Sequence, residues 1–383
     1  MSQEFSHKNL LLSSPTRAYG SVQRYIQGPG ELNKVFAYGS KYGDRFLFVV
    51  DTGVFDMICQ QVDAIEDRAG CTYVFHSFFG ECCQENVDLL ADVARESGCN
   101  VILGVGGGKV LDTVKLTADA VDLPRIIIPT SASSDAPAAD WAAVYDINGV
   151  HLGGVPTVRC TELVLVDSAI IAKAPARLFA AGIADALVTW YEAEANDRAF
   201  APNYIGQGYA RCLAGMAIAR ECRDILLRDG KIAYEAVKAK VLTPAVENVI
   251  EANILLSGLG FMNTGCAGAH GIHNGISEIE AGKQFLHGEK VAFGLLGEMV
   301  LENAAREELY EVMAFLDALD LPITMEQFNI ACSEENLDII VDHVVYKNAL
   351  IHREPTIITP ELVRNAIIAA DEFGHQYLNA KKN

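Results

Sequence analysis

The stretch "NVILGVGGGKVLDTVK", residues 100–115, joins an apolar β-branched run to a helical pattern through Gly106, Gly107 and Gly108. From Lys109 onward the apolar residues recur at three- and four-residue spacing, the period of a helix with one buried face. A strand that passes directly into a helix is the building unit of a parallel sheet. Glycines allow the backbone to approach a phosphate, and a helix N-terminus offers unpaired N–H groups with a partial positive charge. Two standard phosphate templates do not fit. G-x-x-x-x-G-K-[ST] needs glycine where Leu103 stands and a hydroxyl residue where Val110 stands, and G-x-G-x-x-G begun at Gly104 needs glycine where Lys109 stands. The turn thus reads as a dinucleotide site or as a tight connection. Asp51, closing the run "RFLFVVD" (45–51), favours the dinucleotide. A carboxylate at a strand's carboxyl end can accept hydrogen bonds from an adenosine ribose and repels a 2′-phosphate, which selects NAD over NADP.

Outward from this turn the alternation continues. "CTYVFHSF" (71–78), "RIIIPTS" (125–131) and "TELVLVD" (161–167) read as strands, with "VFDMICQQVDAIEDRAG" and "QENVDLLADVARESG" as helices between them. The spacing predicts an α/β domain with a parallel sheet over residues 1–170. From about residue 177 the strand signal fades and long helical patterns take over. They are "RLFAAGIADALVTWYEAEA", "NYIGQGYARCLAGMAIARECRDILL", "GEKVAFGLLGEMVLENAAREELYEVMAFLDAL" and "TPELVRNAIIAADEFGHQYL". An all-α domain over 171–383 is expected, with a small-molecule cleft between the two.

Composition removes several function classes. A formal net charge of −20 argues against a nucleic-acid partner, which clustered Lys and Arg would hold. No apolar run reaches the eighteen or so residues that span a bilayer, and the N-terminal order is not that of a signal peptide, so a cytoplasmic chain is expected. None of the ten cysteines forms a C-x-x-C pair, which disfavours zinc ribbons and thioredoxin-like chemistry and predicts reduced thiols.

Two further segments carry chemistry. "PTSASSDAP" (129–137) places hydroxyls and Asp135 at the end of a strand beside the glycine turn, suiting nicotinamide and substrate contacts as well as plain turn formation. "GAHGIHNGISEIEAGKQFLHGEK" (268–290) sets His270 and His273 one helical turn apart and His287 before another helical run. Asp185 lies among Ala184, Ala186 and Leu187, where an unpaired charge is costly. One carboxylate and two imidazoles suit a catalytic Zn²⁺ or Fe²⁺. By spacing alone, buried core histidines are an equal reading.

In combination, "RYIQGPGEL", "GVGGGKVLDTVK", "PTSASSDAP", "LVLVD", "APARLFAAGIADALVTWYEAEA", "GAHGIHNGI" and "HGEKVAFG" resemble the iron-containing (group III) alcohol dehydrogenases, especially their glycerol-oxidising members. The resemblance implies a Rossmann-like N-terminal domain, a helical C-terminal domain, NAD and one divalent metal, zinc more than iron. It implies oxidation of the secondary hydroxyl of a small polyol, glycerol or a related vicinal diol, in a homo-oligomer that in this family is commonly an octamer. Carried over, the metal ligands are Asp185, His270 and His287, and His273 lies by the nicotinamide as a proton relay. Asp135, with His270, meets the substrate. Asp51, Gly106, Gly107, Gly108, Lys109, Thr130, Ser131, Ala132, Ser133 and Tyr145 contact the cofactor. Departures are Val110, where the family has Thr, and Asp140 with Trp141, which are expected to reshape the pocket beside the nicotinamide. Two rivals remain at this level: a dehydroquinate-synthase-like lyase, which needs a strongly basic site, and a catalytically silent NAD or metal sensor.

Overall fold

The computed structural model describes residues 12–382. The chain packs as two units. One comprises Gly20–Phe179 with Ile232–Leu259; the other takes the segment up to Tyr19, Ala180–Lys231 and the chain from Gly260 onward. The change of unit falls at 179/180 instead of the expected 170/171, and a later helical stretch returns to the α/β unit.

The α/β unit is built on six parallel strands. In chain order these are β1 (Tyr25–Gly28), β2 (Arg45–Asp51), β3 (Thr72–Phe78), β4 (Val101–Gly106), β5 (Arg125–Pro129) and β8 (Leu163–Asp167). Their order across the sheet is β1-β8-β5-β4-β2-β3. The chain runs outward from β2 to β3, then crosses back to β4 and proceeds the other way through β5 and β8. The reversal therefore lies between β2 and β4, and such switch points are where open α/β sheets bind ligands. Register fixes the consequence: Val50 faces Val105, so Asp51 stands beside Gly106 at that reversal. One face of the sheet is closed by Phe36, Phe46, Phe48, Ile58 and Val62, all buried.

Two elements were absent from the sequence reading. β1 is a four-residue edge strand with no clear alternation. The other is a two-stranded antiparallel hairpin, β6 (Trp141–Tyr145) and β7 (His151–Pro156). Its foot is held from inside the unit. The fully buried Lys115 ammonium donates to Asp112 and to the carbonyls of Ala136 and Trp141, and Asp112 accepts from the backbone of Ala143.

The second unit contains the described helices that carry the histidine segment. Two expected helices are shorter than their patterns. "NYIGQGYARC" is irregular, with Gly206 and Gly208 at positive φ, and the helix begins at Leu213. The long pattern from residue 288 is two helices, His287–Leu301 and Arg306–Asp317, parted where Asn303 takes φ 56. Among the described residues no helix is long and apolar enough to cross a membrane.

Candidate metal centre and nucleotide turn

Three helices of the second unit bring the histidine segment together: Ala176–Arg198, Gly268–Ile276 and His287–Leu301. They approach closely because glycine faces backbone at the crossings. A Cβ on Gly288 would lie 1.9 Å from the Ala181 carbonyl oxygen, and one on Gly294 would lie 2.2 Å from that of Ala269. Ala181 is one turn before Asp185, so the first crossing delivers His287 to the aspartate.

The outcome is a compact donor set. Ligand atoms of Asp185, His270 and His287 all lie within 4.8 Å of one another. Asp185 Oδ1 is 3.0 Å from His287 Nε2 and 3.6 Å from His270 Nε2. Asp185 is 3 % exposed, and its Oδ2 has no hydrogen-bond partner. A buried carboxylate oxygen left unpaired is costly. Two imidazole nitrogens and this carboxylate, open on one side, are the donors a divalent cation takes. The residues fit such an ion. Burial pushes the Asp185 carboxyl up, but His287 and His270 more than offset it and hold the group far below the usual carboxylate range. Burial opposes charge on His270, whereas Cys266, Glu192 and Asp185 together raise its imidazole well above the ordinary value.

His273 is buried, and its Nε2 is 3.2 Å from His287 Nδ1. The ring thus touches His287. Two groups were not anticipated. Glu192 contacts both the backbone and the ring of His270, and Asn196 donates to the carbonyls of Gly265 and Cys266 just before the His270 helix. A signal existed: Asp185, Thr189, Glu192 and Asn196 follow i, i+4, i+7, i+11, a polar stripe on one helix face, and all four are buried.

In the α/β unit, Gly106 takes φ +148, and a Cβ there would lie 2.6 Å from both Asp51 Cβ and Val110 Cγ1. Val110 therefore fills the space behind the turn. A Cβ on Gly107 would meet nothing within 4 Å, so backbone is presented openly at the start of the Gly108–Val121 helix, which no side chain caps. That is the cradle a pyrophosphate requires. Asp51 Oδ1 accepts from the Gly53 backbone at 2.8 Å. Thr130 donates its N–H to Gly106 O at 3.1 Å, joining the ends of β5 and β4. Ser131 and Ser133 share a hydroxyl hydrogen bond, and the Ala132 carbonyl accepts from the buried Asn253 amide. Asp135 opens a single 3-10 turn, Ala136–Ala138. Tyr145 packs its ring on His151, and burial pushes its hydroxyl up to about 12.

One expectation needs correction. Asp140 does not reshape a pocket: it is buried, accepts from the Thr161 backbone at 3.0 Å and lies 3.8 Å from the buried Arg125 guanidinium. Trp141 covers Gly154 across the hairpin, where any Cβ would strike its indole nitrogen. The lysines near these motifs are engaged too. Lys109 pairs with Glu81, Lys283 with Glu280 at 2.8 Å, and Lys290 donates to Ser277 at 2.7 Å while burial pushes it down to about 8. A phosphorylated polyol acid, the substrate of the lyase alternative, would find little free positive charge among them.

The donors could hold a divalent cation and the glycine turn a dinucleotide, a pairing open to both the dehydrogenase and the lyase readings. Comparison with known proteins narrows it. The family model for iron-containing alcohol dehydrogenase matches residues 22–168. The glycerol dehydrogenase of Pseudomonas putida is 39 % identical, covering 94 % of this chain and 99 % of its own length. That of Thermotoga maritima is 38 % identical, with 93 % and 97 % covered. The crystal structure of a probable glycerol dehydrogenase from Sinorhizobium meliloti 1021 superposes with a TM-score of 0.88 at 40 % identity, over 94 % of this chain and 99 % of that one. The chain belongs to the glycerol dehydrogenases of the iron-containing alcohol dehydrogenase family.

Proposed function

We propose that this protein oxidises the secondary hydroxyl of a small vicinal polyol, glycerol first among them, to the ketone, passing the hydride to NAD. Membership in a family of NAD- and metal-dependent oxidoreductases supports this over the lyase and sensor alternatives. One observation carries it within the chain: a buried aspartate with an unpartnered oxygen converges with two imidazoles. When bound, the cation supplies Lewis acidity, which takes water from a pKa of about 16 to about 7, and the nicotinamide supplies the hydride acceptor.

The chain's residues do the rest. Asp185, His270 and His287 hold the cation, zinc in our reading. Asp185, itself buried, also neutralises part of the cation's charge. The His287 side chain, 44 % exposed, is the member of the set that reaches solvent. His273 orients His287 through the 3.2 Å ring contact and takes up or returns the hydroxyl proton. Asp51 and the Gly106–Lys109 turn hold the dinucleotide, and Asp135 grips a second substrate hydroxyl. In this reading the protein works as a cytoplasmic homo-oligomer.

The test is NADH formation at 340 nm with glycerol, 1,2-propanediol and 2,3-butanediol, and the reverse reaction with dihydroxyacetone, each with added Zn²⁺ or Fe²⁺. The expected result is turnover with at least one diol, and loss of both turnover and metal content in His270→Ala. Undiminished activity of that variant in metal-free buffer would remove the cluster from the reaction.

A further inference from the structure

We propose that Glu192 is the positioning residue of the centre: it fixes His270 with the proton on Nδ1 and so keeps Nε2 bare for the cation. The inference rests on the reading of Asp185, His270 and His287 as the ligand set.

Glu192 is 1 % exposed and lies two turns beyond Asp185 on the same helix. Its Oε1 accepts the backbone N–H of His270 at 2.9 Å, and its Oε2 lies 2.7 Å from His270 Nδ1. One carboxylate therefore holds both the main chain and the ring of a single residue. An ionised carboxylate only accepts, so the nitrogen facing it has to donate. A neutral imidazole carries one ring hydrogen, and placing it on Nδ1 leaves the Nε2 lone pair free. That lone pair faces Asp185 Oδ1 across 3.6 Å, longer than a hydrogen bond. Two electron-pair donors set against each other at that separation have a use for a cation and none for each other. Carboxylates behind ligating histidines fix the tautomer and raise the ligand's basicity in this way.

Glu192 does not act on an otherwise loose helix. Glu354 accepts the N–H of Gly268 at 2.7 Å, and Glu298 accepts that of Ala269 at 2.9 Å. Three consecutive N–H groups of the first turn are thus held by three buried glutamates from different parts of the chain. Of the three glutamates, Glu192 alone also reaches the ring.

Glu192→Gln separates tautomer control from shape. A glutamine matches the volume but presents one acceptor where two are needed, so whichever way the amide turns, a donor faces a donor. The ring hydrogen is driven to Nε2. Zn²⁺ affinity, measured by competition with a chromophoric chelator, should fall by about 10–100-fold, with far-UV circular dichroism unchanged. Affinity equal to wild type overturns the proposal. Asp185→Ala, measured alongside, keeps the two readings apart. If it binds Zn²⁺ as wild type does, the ligand set itself is wrong; if it loses Zn²⁺ while Glu192→Gln does not, only the role of Glu192 falls. Wild-type protein labelled with 15N at histidine and loaded with Zn²⁺ gives a readout that needs no folded variant. His270 Nδ1 should appear protonated, and a bare Nδ1 overturns the proposal.

Discussion

At the scale of single residues, the same side-chain type serves opposite ends in the two units. Asp185 is a buried carboxylate with one oxygen unsatisfied, whereas Asp140 is a buried carboxylate tied to Thr161 and facing Arg125. From sequence both are acids among apolar neighbours, and nothing in the local pattern tells them apart. Partners 21 residues away decide, in the case of Asp140 and Thr161. Asp140→Ala should accordingly cost stability, about 3 kcal/mol as for other broken buried pairs, and leave KM for the diol within twofold. Urea unfolding beside steady-state kinetics checks both halves, and a large change in KM with intact stability would restore the expected pocket role. Glu192 shows the converse. Its functional placement follows from helical phase with Asp185 and was legible in principle, but its target, the amide and ring of His270, is brought there only by tertiary packing.

At the scale of elements, the Gly268–Ile276 helix starts without a side-chain cap from its own flank. Its first N–H groups are satisfied instead by Glu354, Glu298 and Glu192, acceptors brought from elsewhere in the chain. The arrangement crowds acids. Burial first, then Glu354 and Glu192, raise the Glu298 carboxyl well above its usual value, and burial followed by Glu302 does the same for Glu354. An acid raised in the native state binds protons that the unfolded chain has released. Its stabilisation is therefore full below the ordinary carboxyl value and is lost as pH climbs through the native value. Glu298→Gln keeps the neutral shape and removes that loss. Urea midpoints followed from about pH 5 to about pH 9 should decline less steeply in the variant than in wild type; parallel declines would show that Glu298 is not the group responsible. Elements with strong periodicity, β2, β3, β4, β5, β8 and the helices that follow β2, β3 and β4, were legible in the sequence. The β6–β7 hairpin was not, because "WAAVY" and "HLGGVP" have weak alternation and owe their place to Lys115 and Asp112 beneath them.

At the scale of the whole molecule, the division into an α/β and a helical unit was legible from where β-branched runs end, but its exact course was not. Ile232–Leu259 is helical by pattern and packs with the sheet unit, since periodicity reports secondary structure and not which core a face joins. The ten cysteines are free, as the absence of paired spacing led us to expect. On the proposed function, stability at this scale is expected to depend on the cation. A ligand at about 1,000 times its dissociation constant contributes about 4 kcal/mol, so chelation should lower the melting temperature of the helical unit by several degrees, and Zn²⁺ should restore it. A melting curve indifferent to chelator would mean that the centre binds too weakly to matter for folding. The crossing at Gly288 has a different kind of consequence. One added carbon there would collide with the neighbouring main chain and swing the imidazole one position earlier off its target. Random mutagenesis would then extinguish catalysis through an atom that touches neither reactant, and a screen scoring only lost activity would mistake a spacer for chemistry.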